Sequence, residues 1–186
     1  ASASQAIRKS GIDIARHRVL FILSTTKGAI EELGKVEDEE IYLGATAQRI
    51  ATALGIKIKP IVVCNACISG LSALILASRL LDAKGFSAET SGSSDEFDVS
   101  TVDGCYDYAV VCGADSPRRF IISGFQSLKA LSTEPCRPFD MERFGLNLGE
   151  AAATIVLGKK QADLKKLKVS RSSDGNDSSL RNAWQI

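Results

Sequence analysis

The sequence predicts a layered α/β fold, and three observations carry that reading. Residues 18–23 are a short continuous apolar run, as a strand buried on both faces requires, 61–64 are a second buried-strand candidate, and 108–112 and 152–157 read as a third and a fourth strand. Between them lie stretches with apolar residues at helical spacing, at 41–54 and from about 67 to 81. Glycines and polar loops mark the changes of period, and strands alternating with helices assemble into an α/β architecture.

In chain order, residues 2–10 read as the end of a helix stopped by Gly11. The first strand, 18–23, runs into Ser24-Thr25-Thr26-Lys27-Gly28, which lacks the Gly-Lys-Ser/Thr order of a phosphate loop and is expected to be a solvated loop. Gly55 closes the helix at 41–54, and Pro60 precedes the second strand. Asn65-Ala66 makes a sharp turn into a helix of small and apolar residues beginning at Cys67. The third strand ends at Gly113-Ala114-Asp115, and the fourth follows a long irregular segment. Residues 84–104, rich in Ser, Asp and Glu, are expected to be a polar surface excursion, and 170–179 are of similar composition. The lysines between 159 and 168 read as a solvated face. We therefore expect one folded unit over 1–169, with a polar insertion at about 84–104, and a polar tail over 170–186.

Composition narrows the function classes. Lys plus Arg is 23 against 22 for Asp plus Glu, which argues against a basic nucleic-acid-gripping face. The longest apolar stretch, 68–81, is interrupted by serines and Arg79 and is short for a bilayer span. The chain opens on Ala1, as an excised piece would, and no signal-like leader precedes the fold. Five cysteines, an odd number, fit a reducing, cytoplasmic setting better than a disulfide scaffold.

Cys64 and Cys67 form a CxxC. Zinc would need further ligands, and neither a second CxxC nor a paired-histidine motif is present, so no metal and no cofactor is expected. Two readings stay open at this point: a thiol-disulfide pair, or a lone nucleophile at Cys67 with Cys64 buried as a small apolar residue. A sharp strand-to-helix turn exposes attacking atoms in acyl-transfer enzymes, and a helix N-terminus favours negative charge there. Gly70 would let a ligand or another backbone come close.

Val62-Val63-Cys64-Asn65-Ala66-Cys67-Ile68-Ser69-Gly70 resembles the active-site strand and elbow of the β-ketoacyl-[acyl carrier protein] synthases. Ser123-Gly124-Phe125-Gln126-Ser127-Leu128-Lys129-Ala130-Leu131-Ser132 is similar to the start of that family's longer second signature. Cys136-Arg137-Pro138-Phe139-Asp140-Met141-Glu142-Arg143-Phe144-Gly145 and Gly149-Glu150-Ala151-Ala152 continue it in the right order. The resemblance runs from about 18 to 157 and implies a thiolase-like fold, in which two similar α/β halves each carry a five-stranded mixed sheet. It implies a homodimer that works with acyl carrier protein, whose phosphopantetheine arm delivers acyl and malonyl groups, as in fatty-acid or polyketide-like synthesis. Cys67 then matches the residue that takes the acyl chain as a thioester, with its N–H as one oxyanion donor. Phe125 matches a residue lining the acyl pocket, or is an ordinary core aromatic.

The chain also departs from that family. Relatives draw two catalytic histidines from their second half, whereas His17 is the sole histidine here and precedes the first strand. Ala151 replaces the second glycine of Gly-Glu-Gly-Ala. The relatives' first strand, expected in the middle of the sheet, has no counterpart before Ser2. The sequence is thus read as one incomplete layered half with a mixed sheet, lacking the first strand and the whole second half. Condensation by the chain alone is not expected. Two other functions remain in competition: a redox module built on Cys64 and Cys67, and a non-catalytic truncated partner subunit.

Overall fold

The structure is a computed structural model that describes residues 1–82 and 106–159. The expected excursion at 84–104, most of the lysine run and the boundary at 169/170 lie outside those residues.

Ten elements are described. Helix α1 is Ser2–Ser10, strand β1 is Val19–Ser24, and a 3-10 turn covers Ile30–Glu32. Helices α2 (Asp38–Ile41) and α3 (Leu43–Ala53) precede β2 (Ile61–Val63), and α4 is Ser69–Asp82. Strand β3 (Tyr108–Asp115), helix α5 (Arg119–Ser127) and β4 (Ala151–Gly158) complete the set. The expected helix at 41–54 is therefore broken at Tyr42, whose extended backbone separates α2 from α3. Gly11 ends α1 in the left-handed conformation, at φ 71°, as expected of a glycine stop.

The strands form one mixed sheet in the order β2-β1-β3-β4, parallel except for antiparallel β4. This order pairs β1 and β3 directly, from Val19–Tyr108 to Ser24–Gly113, with no further strand between them. It also explains the burial of each strand. Central β1 is buried throughout, whereas β2 is only half-buried and β4 largely exposed, because each covers one neighbour rather than two. The apolar run at 61–64, read as a buried strand, thus belongs to a half-buried edge strand, and that at 152–157 to the other edge.

Alternation along β1 divides the core. Val19, Phe21 and Leu23 meet Ala3 and Ile7 of α1 and Ala47 and Ala51 of α3. Leu20 and Ile22 face the other way, onto Ala73, Ala77 and Leu81 of α4. Small residues on α3 and α4 bring the helices close to the sheet, giving three layers with β1 and β3 in the middle. The β1–β3 pair is held at both ends by aspartates. Arg18 N donates to Asp107 Oδ2 at 2.9 Å at one end, and Thr26 N donates to Asp115 Oδ1 at 2.9 Å at the other.

Residues 128–147 form an irregular arm. Leu146 N donates to Ala130 O at 2.9 Å, and Asn147 Nδ2 donates to the carbonyls of Ser132 and Glu134. Phe139 and Met141 on this arm are almost wholly exposed. Gly145, at φ 154°, is needed for close approach: a Cβ there would lie 2.6 Å from Ala130 O. Gly145→Ala should therefore destabilise the chain by about 1–3 kcal/mol, read as a lowered midpoint in urea. An unchanged midpoint would show that the arm's packing does not depend on that contact.

Candidate active site

The parallel strands β1, β2 and β3 end on the same side of the sheet. The crossover from β1 to β2 carries α3 on one face, and that from β2 to β3 carries α4 on the other. Crevices at such reversals, outside the carboxyl ends of strands, are where open α/β sheets bind ligands.

Cys67 lies at this end. Strand β2 stops at Val63, and the chain turns within five residues into α4. Ile68 N donates to Asn65 O at 3.1 Å and Ser69 N to Ala66 O at 3.2 Å. The buried Ser69 hydroxyl accepts from Asn65 N at 2.8 Å and donates to Ala66 O at 2.6 Å, so it pins the elbow from beneath. Ala66 takes φ 43°, a left-handed conformation that costs an L-residue free energy and persists where surrounding structure enforces it. Cys67 itself precedes α4 by two residues, rather than standing in its first turn, and is exposed.

Cys64 corrects a second expectation. It is exposed, not buried in the strand, and its thiol donates to Thr26 O at 3.2 Å. Its position just past the end of an edge strand leaves one side uncovered. Gly70 is uncrowded too, since the nearest atom to a Cβ built there is Ser24 Oγ at 4.0 Å. The small side chain is not required by any neighbour among the described residues.

The segment expected to be a solvated loop is instead buried and hydrogen-bonded in its first half, while Lys27 and Gly28 are exposed. Ser24 and Thr25 are only 4% and 3% exposed. Thr25 Oγ1 and Thr26 Oγ1 donate to Asp115 Oδ1 at 2.9 and 3.0 Å, Thr25 N donates to Val63 O at 3.3 Å, and Gly28 N donates to Thr25 Oγ1 at 3.1 Å. This strap links the end of β3 to the cysteine elbow. A carboxylate bonded by several donors cannot be removed without stranding them. Asp115→Ala should cost about 1–3 kcal/mol and speed hydrogen exchange at the Thr26 amide. Wild-type protection at Thr26 in that variant would remove Asp115 from the strap's support.

Beside the strap lies a cavity of about 720 Å³ between the ends of β1 and β3, reached by Leu23, Thr25, Ile50, Asp115 and Ile121. Thr46 Oγ1, the one buried side-chain oxygen without a partner among the described residues, lines it as well. Neither Cys67 nor Phe125 contributes to its wall. Phe125 is half-buried on α5, whose first turn is tied back by Phe120 N donating to the Glu31 carboxylate. That carboxylate stands where the helix dipole favours negative charge.

His17 is remote from the elbow. It stands at the amino end of β1, with Nδ1 3.6 Å from Asp107 Oδ2 and its ring edge-on to Tyr108. The six residues of β1 separate it from the carboxyl end by roughly 20 Å. No group of three or more His, Cys, Asp or Glu side chains that could hold a metal ion occurs among the described residues. No described helix is long and apolar enough to cross a membrane.

Residues 100–163 match the family model of the beta-ketoacyl synthase N-terminal domain. The matched stretch contains the second signature and begins after Cys67. The fold agrees: a beta-ketoacyl synthase from Burkholderia phymatum superposes with a TM-score of 0.62 at 21% identity, over 84% of this chain and 41% of that one. The ishigamide ketosynthase/chain length factor superposes with a TM-score of 0.56 at 22% identity, over 84% of this chain and 39% of that one. The chain thus shares the fold of those structures and spans about two-fifths of their length. No curated protein matches it.

Sequence reasoning missed the Asp115–Thr25–Thr26 strap and Ser69 beneath the elbow. A signal for the first was present: two adjacent hydroxyls after one strand and an aspartate closing another are a donor and acceptor set.

Proposed function

We propose that this chain is the nucleophile-bearing N-terminal part of a β-ketoacyl-[acyl carrier protein] synthase. The observation that carries the reading is Cys67, exposed on a strained turn between β2 and α4, in a fold shared with ketosynthases. Cys67 Sγ attacks the thioester carbonyl of an acyl group on the phosphopantetheine arm of acyl carrier protein. The arm's sulfur leaves and takes a proton, and the acyl group stays on Cys67 as a thioester. In the intact parent, a malonyl group on a second carrier loses carbon dioxide. Its carbanion attacks the Cys67 thioester, forming the carbon–carbon bond and releasing the Cys67 thiolate.

The Cys67 N–H serves the developing oxyanion, and Phe125 borders the acyl chain; matching positions in the family signature support both roles. His17 is too far from Cys67 to handle protons there, so this chain alone does not condense. Among the described residues no strand covers the outer edges of β2 and β4, which supports assembly as a homodimer, and the free described cysteines support work in the reducing cytoplasm. Incubating the full chain with an acyl-carrier thioester and weighing it tests the reading. A mass gain of one acyl group on Cys67 is expected. An unmodified Cys67 would overturn it.

A further inference from the structure

Cys64, the first cysteine of the CxxC, is given no part in acyl transfer, yet it is exposed. We propose that Cys64 and Cys67 form a peroxide-responsive pair, closing to a disulfide that withdraws Cys67 from acylation; the consequence for acylation rests on the function proposed above.

Three observations carry this. Both cysteines are exposed and separated by only two residues, whereas Cys112 is buried in β3 and Cys136 lies on the arm. The backbone doubles back immediately after Cys64, through successive hydrogen bonds from Ile68 N to Asn65 O and Ser69 N to Ala66 O. Those bonds close the turns 65–68 and 66–69, so Cys67 sits inside a tight bend that begins one residue after Cys64, and a disulfide between them would need their Cα atoms about 4.4–6.8 Å apart. Finally, Cys64 lies outside the sheet's ladder, held only by its thiol on Thr26 O, so its side chain can swing without breaking β2.

The chemistry balances with hydrogen peroxide as oxidant. Cys67 sulfur attacks one peroxide oxygen, the O–O bond breaks, and Cys67 becomes a sulfenic acid as one water leaves. Cys64 gives up the Thr26 carbonyl and its proton, and its sulfur attacks the sulfenic sulfur. The S–O bond breaks, a second water leaves, and the S–S bond forms. Two thiols lose two electrons and two protons, and peroxide is reduced to water. An external dithiol reverses the step by exchange. Cys64 would thus protect Cys67 from irreversible sulfinic oxidation.

The test uses the full chain treated with hydrogen peroxide, then iodoacetamide and trypsin. Both cysteines fall in the peptide 58–79, because Pro60 protects Lys59 from cleavage. That peptide should weigh about 2 Da less than its reduced form and take up no iodoacetamide, and dithiothreitol should restore two reactive thiols. In Cys64→Ser and Cys64→Ala, with circular dichroism confirming the fold, Cys67 should instead gain about 32 Da as the sulfinic acid. A wild-type peptide with Cys64 alkylated and Cys67 oxygenated would overturn the proposal, as would bridges running only to Cys136 or between chains. None of these readouts needs an acyl donor. Failed acylation with an intact bridge would therefore overturn the proposed function and leave the thiol chemistry standing.

Discussion

Cys67→Ala is expected to abolish acyl loading of the chain, and Cys67→Ser to reduce its rate by at least about 10³-fold. Alanine has no nucleophile, and a serine hydroxyl at this position ionises far less readily than a thiol. The fold should survive either change, because Cys67 is exposed and the elbow is held by Ser69 and by the backbone bonds on either side. Thermal unfolding should accordingly move by little, within the range of ordinary surface substitutions of about 0.5 kcal/mol. The measurement is a time course of acyl-adduct mass with a phosphopantetheine thioester. Retained loading in Cys67→Ala, mapped to Cys64 or Cys136, would move the nucleophile elsewhere. Retained loading together with a lowered melting temperature would show that Cys67 supports the elbow rather than reacting.

Phe21→Ala should have the largest effect on stability. Its ring is wholly buried in the central strand, between Val19 and Leu23 on its own face and the helices α1 and α3. Removing it loses the transfer free energy of an aromatic ring and leaves a void that backbones already at close approach cannot fill. The cost should be about 3–5 kcal/mol, a large part of the stability of a typical domain, and should lower the melting temperature by roughly 6–20 °C. Phe139→Ala is the internal control. That ring is 99% exposed on the arm, and its loss should change stability by about 0.5 kcal/mol or less. Equal effects from the two substitutions would contradict the assignment of the core to β1.

The fold class was legible because β1 and β3 are buried on both faces, and that burial is written directly into runs such as Val19-Leu20-Phe21-Ile22-Leu23. What could not be read was position within the sheet. Short apolar runs look alike whether a strand has one neighbour or two, as Ile61–Val63 and Ala151–Gly158 show. Strand order depends on pairings between residues far apart in sequence, which local periodicity does not encode. The break at Tyr42 was hidden for the opposite reason, since nothing local forbids a helix there and tertiary context decides. At the site, the sharp turn between β2 and α4 was legible from Asn65-Ala66. The burial of Thr25 was missed because a hydroxyl-rich loop is polar by composition and becomes burial-tolerant only once Asp115 arrives from a distant strand.

The paired aspartate clamps on β1 and β3 bear on how quickly the chain reaches this fold. Each joins residues 89 positions apart, and the whole central ladder between them shares that separation. Closing so long a loop costs entropy before any contact rewards it. The helices and the elbow can form locally, but the layer that gives them a surface to pack on must wait for that closure. Collapse of the central pair should therefore limit the folding rate, and the two aspartates act as latches that slow its reopening.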